Sequence, residues 1–280
     1  MRFDWSKLGG RTPPPSLVDA RLLAHHALQW VARAARANLP PADDDAHSSV
    51  EWHAALSALV SQPFQASGGE VRAALRVAGF ALVVLRGEAV VDAFQLDRKT
   101  DAEAGAWIDA KLRALGLKPA GGVKLPYAVP DHAVARGAAY DTSSAGRELG
   151  ELARWFAGAA DLLDEFKAKL AGLRAGPVRC WPHHFDIATL VPLRGDAAGV
   201  GIGVSPGDEF YAQPYAYVSP WPRFDPDALP SLPAPGHWHT QGFFGAVATG
   251  EEILALKNRG PELLAFVSTA FEIARARLGA

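Results

Sequence analysis

The chain has 280 residues, 49% of them hydrophobic, enough to build a substantial core in one large domain or two small ones. Its 28 basic and 30 acidic residues are interspersed and leave a net charge of −2, which excludes the one-signed field that gathers nucleic acid or anionic lipid. A single cysteine, Cys180, excludes an internal disulfide and any cysteine-based zinc or iron–sulfur cluster, and fits a reducing cytoplasm.

The first residues, Met-Arg-Phe-Asp-Trp-Ser-Lys, have no apolar core and do not read as a secretory signal. After Pro13-Pro14-Pro15, Ser16 and Asp19 resemble an N-cap with an acidic first turn, and a helix follows to about Asn38. Leu17, Ala20, Ala24, Leu28, Val31 and Ala35 give it one apolar stripe, with Arg21, Arg33 and Arg36 left for solvent. From Val50 to Leu96 the pattern is strand-like, with a hairpin through Arg86-Gly87-Glu88. Its longest apolar stretch, Val77 to Leu85, is far shorter than the run of about 20 residues a membrane span needs.

Thr100 and Glu103 form a capping-box pair ahead of a second helix that ends at Gly116. A Pro- and Gly-rich loop leads to the longest helix, from about Ala145 to Arg174. Strand segments follow at Val178–Leu193, Val200–Val204 and Tyr215–Val218, then a Pro- and aromatic-rich loop, then a last helix over Pro261–Arg277. The order helix, strands, helix thus occurs twice. The expected fold is α+β, with antiparallel sheets and packed helices in two αβββα halves, 1–140 and 141–280, around a shared core.

No phosphate-binding or nucleophile-elbow signature occurs; Gly201-Ile202-Gly203 lacks the third glycine of a dinucleotide loop. The most informative run is Arg179-Cys180-Trp181-Pro182-His183-His184-Phe185-Asp186. As a strand it places Trp181 and His183 on one face and His184 and Asp186 on the other, where the carboxylate would orient the imidazole as a general base. The plainer reading is a structural His–Asp pair. His237 and His239 are co-facial if extended and, with His184 and Asp186, would suffice for a first-row metal in a hydrolase. Their loop spacing matches no established metal motif, and neither a metal nor a cofactor is assigned. Tyr215 and Tyr217 share a strand face with Trp221 beyond them, an aromatic wall suited to a small ligand or to packing. His47, after Asp43-Asp44-Asp45, is a further candidate ligand contact.

Tyr140-Asp141 before the long helix, Phe166-Lys167, Pro177-Val178, Trp181 and Phe185-Asp186-Ile187-Ala188 resemble a bacterial family of uncharacterised proteins, domain of unknown function 5996. The similarity extends through His47, Gln62-Pro63, the hairpin at Arg86-Gly87, Pro206-Gly207 and Pro214-Tyr215-Ala216-Tyr217. His184 stands where that family has a small polar residue, and Gly201-Ile202-Gly203 where it often has a Ser-His-Glu-like segment. The resemblance implies a fold and no reaction. The expectation is a cytoplasmic small-molecule-binding protein or enzyme, its site lined by Trp181, His184, Asp186, Tyr215, Tyr217, Trp221 and His47. The competing expectation is a non-enzymatic scaffold using Phe210 to Trp221 as an interface.

Overall fold

The computed structural model describes residues 3–10, 12–170, 172–195, 197–225 and 229–279. They fall into two compact units, each drawn from separate stretches of chain. The N-terminal unit is Leu17–Ala153 with Arg179–Phe185, and the C-terminal unit is Met1–Ser16, Arg154–Val178 and Asp186–Ala280.

The N-terminal unit is organised by helix α1 (Val18–Asn38). It begins without a side-chain cap, because the Ser16 hydroxyl donates instead to the Pro13 carbonyl at 2.8 Å. The expected single stripe is also too narrow. His25, His26 and Gln29 are buried along with the apolar positions, and Arg21, Arg33 and Arg36 are only partly exposed. Small residues explain this: Ala20, Ala24, Ala27, Ala32, Ala34 and Ala35 let neighbours close on several sides of the helix. Strands β1 (Val50–His53), β2 (Ala58–Ser61), β3 (Phe64–Ala66), β4 (Gly69–Arg76), β5 (Ala81–Arg86) and β6 (Ala89–Gln95) follow.

The β5–β6 hairpin turns at Gly87, whose φ of +58° is a conformation that glycine adopts without steric cost. Helix α2 (Asp101–Ala114) starts at the expected capping box, with Thr100 and Glu103 each bonding the other's backbone N–H. Helix α3 (Gly146–Ala168) is shorter than its periodicity suggested; its residues up to Ala153 count with this unit. Strand β7 (Arg179–Trp181) completes an antiparallel sheet in the order β7-β1-β2-β4-β5-β6, with β3 on β4.

The C-terminal unit holds β8 (Asp186–Pro192), β9 (Gly199–Ser205), β10 (Tyr215–Trp221), β11 (His237–His239) and β12 (Gly245–Thr249). They pair antiparallel in the order β11-β12-β10-β9-β8. Antiparallel strands with packed helices make the protein α+β. Helices α4 (Gly250–Ala255) and α5 (Arg259–Arg277) end the chain, and α5 packs on β9 and β10. Val200, Ile202 and Val204 alternate along β9 with Gly199, Gly201 and Gly203, so the glycines lie on the other face of that strand. Among the described residues no helix is long and apolar enough to cross a membrane.

Candidate functional site

Strand register brings one row of side chains to the glycine face of the C-terminal sheet. Ala188, Gly203, Tyr217, Val247 and His237 are cross-strand neighbours in sequence from β8 to β11. The Tyr217 ring lies across β9, and a Cβ on Gly203 would stand 2.6 Å from its Cζ and hydroxyl oxygen. Glycine at 203 is therefore what lets Tyr217 reach over to β8, where its hydroxyl donates to Asp186 Oδ2. Burial, and then the Asp186 carboxylate, push the Tyr217 hydroxyl well above its ordinary range, so it is a proton donor at neutral pH.

Two residues back along β10, the Tyr215 hydroxyl donates to Asp208 Oδ2 and is likewise pushed up, by burial first and the Asp208 bond second. Asp208 opens the loop to β10. Its Oδ1 accepts from the backbone N–H of Phe210 at 2.8 Å and Tyr211 at 3.1 Å, which fixes Tyr211 with its ring 4.9 Å from that of Tyr215.

Tyr211 is the junction. Its hydroxyl oxygen is 3.1 Å from His237 Nε2 and 2.9 Å from His239 Nδ1. The partners assign the protons. His239 Nε2 faces the Gln241 carbonyl, which can only accept, so that nitrogen carries the hydrogen and the Nδ1 lone pair receives the Tyr211 proton. The Tyr211 oxygen then accepts from His237 Nε2–H. On the far side, His237 Nδ1 faces Glu252 Oε1 at 3.5 Å, while Glu252 Oε2 is taken up in capping α4 through Thr249. His237 and Glu252 are about two-fifths exposed, so the path runs from a solvent-reached carboxylate through an imidazole to a phenol and a second imidazole. Burial, and next Glu252, raise the Tyr211 hydroxyl.

Of the residues expected at a site, Asp186, Tyr215 and Tyr217 are brought to this face. Trp221 is 60% exposed and sits six residues along β10 from Tyr215, roughly 20 Å at strand rise. His47 is buried in the N-terminal unit, where its Nδ1 accepts from the Ala42 N–H at 3.1 Å. Trp181 ends β7 in that same unit, its ring 6.1 Å from His183.

The strand alternation that placed His184 beside Asp186 does not exist. Residues 182–185 form a turn, because Phe185 takes a left-handed φ of +59° and Trp181 O accepts from the N–H groups of both His184 and Phe185. His184 counts with the N-terminal unit and Asp186 with the C-terminal one. His237 and His239 are turned on Tyr211, and among the described residues no group of three His, Cys, Asp or Glu side chains is placed to hold a metal ion. Asp208, Tyr211 and Glu252 carried no sequence signal beyond a turn, an aromatic run and a helix cap; the partners that make Tyr211 a junction, His237 and His239, lie 26 and 28 residues away.

A cavity of about 10 Å³ under Trp155, Phe156, Ile187 and Val204 has room for about one water. A 460 Å³ surface groove between Phe3–Ser6 and Leu256–Pro261 includes none of these site residues. No family model, curated protein or solved structure matches the chain.

Proposed function

We propose that the protein is a cytoplasmic enzyme or binding protein for a small polar molecule, acting by general acid–base chemistry on the Tyr211, Tyr215 and Tyr217 face of the C-terminal unit. Tyr211 is the group that gives and takes the proton. The observation that carries this reading is the placement of its hydroxyl between two imidazoles, one of them backed by the Glu252 carboxylate. A phenol so placed can take a proton from a substrate as it passes its own to the His239 Nδ1 lone pair, while the His237 Nε2–H bond to the Tyr211 oxygen is kept. Tyr215 and Tyr217, each already donating to a carboxylate, shape and polarise the wall without titrating near neutral pH.

The experiment is a screen of small polar metabolites by ligand-detected NMR, followed by turnover assays on the compounds that bind. Tyr211→Phe should leave binding in place and lower the rate by about 100- to 10,000-fold, the usual worth of a positioned acid–base group. Ligands that leave the His237 and His239 resonances unmoved, or an unchanged rate in Tyr211→Phe, would remove the site. A second reading, a partner-binding face, is favoured by one observation: Leu190 at 55% and Trp221 at 60% exposure on β8 and β10.

A further inference from the structure

Three of the four large hydrophobic side chains that stand exposed among the described residues, Leu190, Phe210 and Trp221, belong to the C-terminal unit. Two of them border the middle of the glycine face. Leu190, Gly201 and Ser219 form one cross-strand row over β8, β9 and β10, and Pro192, Gly199 and Trp221 form the next row on that face. Over Gly203 the Tyr217 ring fills the space, and over Gly199 Leu190 Cδ1 closes in to 3.3 Å from where a Cβ would stand. Over Gly201 the one atom within 4 Å of that position is the Ser219 carbonyl oxygen, at 3.8 Å. Gly201 therefore floors a notch, with the Tyr217 ring at one end and Leu190 and Trp221 at the other. Tyr217 and Trp221 are four residues apart, roughly 13 Å at strand rise, and with a side chain standing at each end the length left is that of one planar ring.

The lining decides what kind of ring. Strand β9 is paired on both edges, so the polar backbone groups of the floor are used within the sheet. The Ser219 hydroxyl donates to the Phe244 carbonyl at 2.8 Å, and none of the residues in these rows is charged. A sugar buried here would leave its hydroxyls without partners, whereas an aromatic ring needs only apolar contact and an aromatic neighbour. The Gly201 row also leads to the acid–base centre. Beyond Ser219 comes Gly245, whose Cβ would stand 3.4 Å from Ser219 Cα, and Gly245 pairs with His239, a partner of Tyr211. Three strand spacings, about 14 Å, separate Gly201 from His239.

We propose that the molecule handled at Tyr211 is an elongated aryl compound, whose aromatic ring docks over Gly201 against Trp221 and Leu190 while its polar end lies at Tyr211. The polar end rests on the acid–base reading of Tyr211; the aromatic end rests on the notch.

The test is a titration of the intact protein with 2-naphthol, with glucose as the non-aromatic control, following the Trp221 indole N–H resonance, which Trp221→Phe identifies. 2-Naphthol should shift that resonance to saturation, and glucose should leave it in place. Gly201→Ala puts a methyl group on the floor of the notch and should weaken 2-naphthol by about tenfold or more, the usual effect of a methyl group forced into occupied space. Leu190→Ala, a truncation at an exposed position, should weaken it too, and carries the test if Gly201→Ala alters the circular dichroism. Tyr211→Phe should bind 2-naphthol as the wild type does, so the notch and the acid–base reading fail separately: turnover that depends on Tyr211 with an unmoved Trp221 overturns the aryl assignment alone. The proposal is also overturned if glucose shifts Trp221 as 2-naphthol does, or if both Gly201→Ala and Leu190→Ala bind as tightly as wild type. A free protein that sediments as a dimer, dissociated by Leu190→Asp, would overturn it as well, because a second copy would then cover the notch.

Discussion

Burying an imidazole is tolerable when it stays neutral, and His25 meets that condition at 4% exposure. Burial lowers it from the ordinary value of 6.5 to about 4, against the opposing pull of the Pro182 carbonyl, with His26, Arg21 and His183 adding to the decrease. The unfolded chain takes up the proton near 6.5, whereas the folded chain does so only near 4. Stability is therefore full above the upper value and is lost as pH falls between the two, by about 3 kcal/mol for a displacement of that size. Urea midpoints measured from pH 7 to pH 4 should fall for the wild type and fall less steeply for His25→Gln. Identical slopes would mean that His25 is not the group responsible.

At the level of elements, the β9 glycines differ from one another in what they permit. At Gly203 a Cβ would meet the Tyr217 ring at 2.6 Å, whereas at Gly201 the nearest atom is the Ser219 carbonyl oxygen at 3.8 Å. Gly203→Ala should displace Tyr217 from Asp186 and cost roughly 1–3 kcal/mol in a denaturant melt, the range of overpacking. Gly201→Ala should be close to neutral. Equal effects from the two substitutions would contradict the account of why Tyr217 reaches β8.

The same strands show how far local pattern carries. The Arg86-Gly87 hairpin, the Thr100–Glu103 capping box and the long helix α3 were legible because each is decided within a few residues. Tyr215 and Tyr217 were legible as a pair through the two-residue period of a strand. His184 was misplaced by that same period, since the left-handed Phe185 that breaks it is held by a stack on His25 in α1.

The whole molecule is divided differently from its sequence order. The segment Arg179–Phe185 counts with α1 and strands β1–β6, and Met1–Ser16 counts with the C-terminal unit. A fragment of residues 17–153 would lack β7 and the Pro182 carbonyl that receives His25 and Gln29. Each buried donor left unpaired costs about 1–3 kcal/mol, and β1 becomes a bare edge. The fragment should unfold at lower urea and less cooperatively than the intact chain when followed by tryptophan fluorescence. A fragment as stable as the intact chain would show that residues 179–185 add nothing to this unit.

The amino-acid sequence alone determined the α+β class, most helices and strands and the Tyr215–Tyr217 wall, all from composition or from periods of two to four residues. Tertiary structure decided the rest. Tyr211 meets His237 and His239 only because a short loop pinned by Asp208 sets it beside β11, and the turn at 182–185 is held by α1, whose His25 and Gln29 donate to the Pro182 carbonyl. Contacts between residues so distant in the chain follow from packing and register, which no local pattern encodes. For the strand expected through His183 and His184, those contacts outweighed the local preference.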